Sequence, residues 1–103
     1  MFATVRRYEG IDASHKDELA KKVGESLAPK LSKLPGFSSY FLIDTGNGVM
    51  SSIGLFETST QANESTRVAS EWVRDEKLEN ILQNPPKVTD GEVIVHRNGA
   101  VKA

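Results

Sequence analysis

"YFLIDTGNGVMSSIGLFE", residues 40–57, decides the fold. Two runs rich in aromatic and β-branched residues flank Gly46-Asn47-Gly48. Asn and Gly tolerate the positive φ of tight hairpin turns, so the stretch reads as a β-hairpin with strands over 37–44 and 49–57. A two-residue turn at Gly46-Asn47 or at Asn47-Gly48 gives the same faces. It places Phe41 and Ile43 beside Met50, Ser52 and Phe56, and Tyr40 and Leu42 beside Ser51 and Ile53. An antiparallel sheet with one wet face alternates apolar and polar residues. Here both faces are substantially apolar.

Working outward, "FATVRRYE" (2–9) suits a first strand that ends at Gly10. The segment 11–36 repeats an apolar residue every fourth position, at Leu19, Val23, Leu27 and Leu31, which is one stripe of a helix. Asp12 or Ser14 caps its start, and Pro29 predicts a kink or break because its ring removes a backbone donor. A second helix runs over 58–82, opened by Thr58 and Gln61 as a capping box, with small inward residues until Trp72 and with Leu78, Ile81 and Leu82 in a last turn or a short separate helix. "EVIVHR" (92–97) is the expected last strand, and "NGAVKA" (98–103) a frayed tail. The order is β-α-β-β-α-β, an α+β ferredoxin-like arrangement in one domain over 1–97: a four-stranded antiparallel sheet with two helices on one face.

The chain has 103 residues, no cysteine and a formal net charge of −1. That excludes a disulfide framework and thiolate chemistry. Mixed-sign helix faces lack the basic stripe that phosphates require, so nucleic acid is not an expected partner. No apolar run approaches the ~18 residues that span a bilayer, and the N-terminus lacks a signal-peptide pattern, so a cytoplasmic location without a membrane partner is expected. No cysteine, histidine and carboxylate spacing suggests a metal site, and no glycine-rich phosphate loop is present.

Two helices cover one face of the sheet, and no chain remains to cover the other. A second copy packed sheet on sheet is the economical solution, so a homodimer is expected. With "LPGF" (34–37) opening strand two, "GLFE" (54–57) closing strand three and a helix starting at "TSTQANEST" (58–66), the chain resembles the antibiotic-biosynthesis-monooxygenase-like group of the dimeric α+β barrel superfamily. The resemblance implies a dimeric barrel and, in each subunit, a pocket between sheet and helices. In the oxygenases of that group the pocket takes an aromatic or quinone-like substrate and no cofactor. Two functions follow as expectations. One is a cofactor-free monooxygenase or isomerase acting on a small aromatic or polyketide-like molecule. The other is a non-catalytic small-molecule-binding or accessory protein. The haem-degrading branch relies on an Asn in strand one and a His in the second half of the chain with a Trp. Strand one here has no Asn and helix two no His.

Among candidate catalytic residues, His96 on the last strand is suited to proton transfer near neutral pH, against a plain strand-end role. Arg6 and Tyr8 share a face of strand one, and an inward Arg6 would hold an anionic ligand or a partner carboxylate. Tyr40 and Ser51 lie on one expected hairpin face, as pocket or interface groups. Trp72, the only tryptophan, is either a core anchor or a wall for a flat ligand. The expected catalytic set is therefore His96, Tyr40 and Arg6, and the expected ligand-binding set Trp72, Ser51 and Tyr8.

Overall fold

A computed structural model describes residues 1–97; the 98–103 tail lies outside the described residues. Strand β1 (Phe2–Tyr8) leads through a 3-10 turn (Ala13–His15) into α1 (Lys16–Lys22). A π-helical turn (Val23–Leu27) joins α1 to α2 (Ala28–Ser32). The hairpin β2 (Phe37–Gly46) and β3 (Val49–Phe56), helix α3 (Ser59–Asp75) and β4 (Lys87–Glu92) follow. The sheet order is β2-β3-β1-β4, and every neighbouring pair is antiparallel. This is the expected α+β, ferredoxin-like arrangement.

The helices form where the periodicity predicts, except that α3 ends at Asp75 and 76–82, expected as its last turns, is not helical. Leu19, Val23, Leu27 and Leu31 are buried on one side of the α1–α2 rod, and Ala62, Ser65, Ala69 and Trp72 on one side of α3. These meet Met50, Ile11, Leu78 and Ile81 in the core. Asp12 caps the 3-10 turn, and Thr58 and Gln61 form the expected reciprocal box at the start of α3. Pro29 does not break the rod. The N–H of Ala28 bonds five residues back, to the Val23 carbonyl, and the wider turn lets the helix run on through the proline.

Two expectations are corrected. The first concerns the last strand, which is Lys87–Glu92 rather than 92–97. Its place is set by its partner: Arg7 pairs with Lys87 and Phe2 with Glu92. Val93 N–H reaches the Met1 carbonyl at 2.9 Å, and 93–97 carry no strand. Register with β1 overrides the weak strand propensity of "KVTDGE".

The second correction is to the hairpin faces. The turn is Asn47-Gly48, closed by Gly46 opposite Val49, but Asp44 pairs with Met50. One extra residue therefore sits on β2, a bulge that moves every side chain above it to the other face. Gly46, Asn47 and Gly48 all have positive φ (86°, 57° and 76°), the conformation that a tight hairpin turn with a glycine bulge demands. Tyr40 and Leu42 thus face the helices with Ser52 and Gly54, and Phe41 and Ile43 face outward with Ser51 and Ile53. A second irregularity between Phe37 and Ser39 returns Phe37 to the helix side, where its ring meets Phe56 edge-on at 5.7 Å. The outward face remains apolar, now through Phe41, Ile43, Ile53, Leu55, Val5 and Ala3. Phe41 is 53% and Ile43 42% exposed.

The turn is tied to the body of the protein by Ile11 N–H, which donates to the Gly48 carbonyl at 2.9 Å. A β-carbon on Gly48 would lie 2.6 Å from the Ile11 carbonyl oxygen, which is backbone and cannot swing away. Gly48→Ala is expected to cost about 1–3 kcal/mol, from the left-handed φ together with this clash. Urea denaturation of the two proteins measures it, and an unchanged midpoint would contradict the close approach.

Candidate functional site between sheet and helices

The helix-facing side of the sheet is unusually polar at its centre. Ser52 on β3 lies opposite Arg6 on β1, and Thr4 is next in the same column. Thr4, Arg6, Ser52 and Ser65 are all essentially buried. The small residues of α3 let that helix approach closely. Thr66 Oγ1 accepts from Arg6 Nη1 at 3.3 Å and lies 3.4 Å from Thr4 Oγ1, while Ser65 turns its hydroxyl to the Ala62 carbonyl. Arg6 is 1% exposed, yet no carboxylate among the described residues lies within ion-pairing distance of it. Its Nε and the Ser52 hydroxyl have no hydrogen-bond partner. Buried cations are ordinarily paired, and buried donors ordinarily satisfied. This centre holds a positive charge with no carboxylate beside it, in reach of Thr66 and the two tyrosines.

Tyr8 and Tyr40 flank the guanidinium, one strand position further along β1 and across on β2. Burial pushes both phenols above their ordinary value of 10.0, and the Arg6 charge offsets part of the rise. Both hydroxyls therefore stay protonated at neutral pH and act as donors. A raised phenol favours the folded state below the unfolded value. That contribution is complete below about pH 10 and is lost as pH rises toward the higher folded value. The chain has only these two tyrosines, so absorbance of tyrosinate reports the site alone. Both are expected to ionise later in the native than in the urea-unfolded protein. Coincident titration curves would contradict their burial.

Tyr8, Tyr40, Leu42, Met50 and Trp72 line an interior cavity of about 20 Å³, enough for a water or a single small group. Tyr40 is also a wall of an open groove of about 590 Å³ alongside Gly24, Pro29, Phe37 and Phe41. Tyr8 is likewise shared with a cleft of about 240 Å³ beside Val73, Asn84 and Pro85. The two tyrosines thus stand between the interior and the surface on opposite sides. The π-helical turn borders both spaces, through Gly24 in the groove and through Val23 and Leu27 in the cavity. Such turns are frequent at functional sites. Trp72 closes the cavity from α3, its Nε1 donating to Ser26 Oγ at 2.9 Å.

The structure brings Arg6, Tyr8, Tyr40 and Trp72 together. Ser51 points outward, opposite Arg7 and Ile43, because the bulge at the turn reverses the hairpin faces; Ser52 holds the inward position. His96 is exposed, four residues beyond the end of β4, and stands apart from the cluster. Ser52, Thr4 and Thr66 were not legible as site residues. Their signal was weak: hydroxyl and small residues at positions that a core ordinarily fills with aliphatic ones. Among the described residues no group of three or more histidines and carboxylates could hold a metal ion. No histidine is among the residues that line the cavity.

No protein-family model matches the chain, and no curated protein matches it in sequence. Solved structures do match in shape. A monooxygenase from the gene ActVA-Orf6 of Streptomyces coelicolor, in complex with the ligand nanaomycin D, superposes with a TM-score of 0.68 at 18% identity, over 99% of this chain and 92% of that one. A variant of MhuD with two manganese protoporphyrin IX molecules per active site gives a TM-score of 0.75 at 17% identity, over 96% and 100% of the chains. A dimeric ferredoxin-like protein from an uncultured marine organism gives 0.68 at 12%, over 95% and 98%. The helical and strand order, the sheet topology and these superpositions agree: this chain has the fold of the antibiotic-biosynthesis-monooxygenase-like proteins that its sequence resembles.

Proposed function

We propose that the protein is a cytosolic homodimer that binds a small aromatic or polyketide-like molecule between sheet and helices and oxygenates it without a cofactor. The observation that carries this reading is the buried, carboxylate-free guanidinium of Arg6 beside two protonated phenols. That set suits an oxygen that becomes anionic. An acidic methylene next to a phenol or ketone loses a proton to water, and the negative oxygen of the resulting enolate would be held by Arg6 and Tyr40. The enolate carbon supplies the electrons that reduce oxygen. The CH2 group and O2 give C=O and water, with one oxygen atom kept and one released. Rings of the substrate would lie in the groove against Phe37, Tyr40 and Phe41, and Trp72 would bound the head group from the far side.

The test is oxygen uptake with an anthrone and with a naphthohydroquinone. Expected is consumption of one O2 per molecule, with one labelled oxygen in the product when 18O2 is supplied. One observation favours a second reading, a binding or accessory protein: both phenols are pushed away from neutrality, and His96 is remote from the cavity. Tight binding of these compounds without oxygen uptake would select that reading.

The apolar outward face supports the dimer, because monomers rarely expose a contiguous patch of this kind. Native mass spectrometry is expected to give the mass of two chains, and Ile53→Asp at the centre of the face the mass of one. A single-chain mass for the parent protein would overturn the dimer.

A further inference from the structure

We infer that the π-helical turn leaves the Gly24 carbonyl free as an acceptor in the groove beside Tyr40, where it takes a hydrogen bond from a second hydroxyl of a fused-ring phenolic ligand, a reading that rests on the ligand site proposed above. In an α-helix the Gly24 carbonyl would accept from the Ala28 N–H. That N–H goes instead to the Val23 carbonyl. The next residue that a wider turn offers is Pro29, which has no N–H. No side chain among the described residues donates to this carbonyl. The Ser32 hydroxyl, on the same side of the rod, is committed to the Pro29 carbonyl at 2.7 Å.

Gly24, Ala28, Pro29 and Ser32 form the helical wall of the groove of about 590 Å³. A helix carbonyl points along the axis toward the residue four positions ahead, so that of Gly24 lies between two residues of the wall. Carbonyls on the solvent side of a helix tilt outward. Gly24 is exposed and has no side chain to cover its own carbonyl, and a β-carbon added there would meet nothing within 4 Å. The facing wall is apolar and aromatic, through Phe37, Tyr40 and Phe41 of β2.

The two ends of the proposed site therefore differ in character. Arg6 and the protonated phenols are donors, which suit an oxygen that becomes anionic. The Gly24 carbonyl can only accept. A ligand that satisfies both ends carries an ionisable oxygen at one side of its ring system and a hydroxyl donor at the other. That selects polyhydroxylated fused-ring aromatics over ring systems with a single oxygen. In the free protein water occupies the carbonyl, so the gain on binding is that of one exchanged hydrogen bond.

The probes are 2,6-dihydroxynaphthalene and 6-fluoro-2-naphthol, which share a shape while the second lacks the distal donor. By calorimetry the parent protein is expected to bind the dihydroxy compound about twofold to tenfold more tightly, the share of one neutral hydrogen bond. Pro29→Ala supplies the missing N–H. If the turn stays wide, residue 29 donates to Gly24; if it returns to α, Ala28 does, and either way the carbonyl is filled. The preference is expected to vanish in Pro29→Ala, with binding of the fluoro compound and the Tm not reduced. A preference that survives in Pro29→Ala, or is absent in the parent, overturns the inference and leaves the ligand site standing. Failure of the parent to bind either probe overturns both.

A second measurement needs no variant at position 29. Gly-Glu occurs only at 24–25 and 91–92, so carbonyl-13C glycine with 15N-glutamate gives two carbonyl signals by NMR. Gly24→Ala removes one and so assigns it. The Gly24 signal is expected to move downfield with the dihydroxy compound and less with the fluoro compound, while that of Gly91 on β4 stays. Equal movement with the two probes overturns the hydrogen bond.

Discussion

Trp72→Ala is expected to lower stability by about 3–5 kcal/mol, the range for removing a fully buried aromatic side chain. For a domain of this size that is a fall in Tm of at least ~12 °C. The side chain is 2% exposed and packs in the main core cluster, so the loss is both apolar contact and a cavity that the surroundings cannot collapse into. It also deprives Ser26 of its donor, across the interface between α3 and the π-helical turn. Trp72→Phe is expected to recover most of the stability but not that hydrogen bond. Thermal unfolding followed by circular dichroism measures both variants. If Trp72→Ala unfolds within a few degrees of the parent, Trp72 is not the anchor of α3.

Arg6→Met is expected to stabilise the protein while disabling the site. The variant removes a buried charge that has no carboxylate partner and keeps an unbranched side chain of similar length. Replacing buried ionic groups by apolar ones of similar volume is neutral or stabilising, by about 1–3 kcal/mol at a site like this. The same change removes the charge that would hold a substrate oxyanion. A charge-assisted hydrogen bond contributes about 1.5–3 kcal/mol, which corresponds to roughly a 10–100-fold loss in affinity or turnover. Arg6→Lys keeps the charge and is expected to keep part of the activity. A Tm that falls in Arg6→Met would assign Arg6 to the structure. A Tm that rises with binding intact would remove it from the site.

The elements that were legible in the sequence share one property: their signal is local. Leu19, Val23, Leu27 and Leu31 announce a helix because the period of its own backbone sets them on one side. Thr58 and Gln61 announce the start of α3 because both partners of the box lie within one turn. The alternation of β1 put Arg6 and Tyr8 on one face, and they do converge. Where the reading failed, a distant partner made the decision. The residues of β4 have little strand preference and are selected by register with β1, which local pattern does not show. Ser52 rather than Ser51 faces the helices because the bulge before the turn is invisible to a two-residue turn rule, and one extra residue exchanges the faces.

The order of helices and strands, the capping of α3, the inward stripe of both helices and an excess of apolar sheet surface are all set by local pattern along the chain. Each follows from interactions within a few residues along the chain, or from composition. Only the tertiary structure decided which apolar residues face outward, where the last strand ends, and that an arginine is buried without a counter-charge between two phenols. Those outcomes depend on which backbone finds which partner across the sheet, and on how closely α3, with its small residues, settles over Thr4, Arg6 and Ser52.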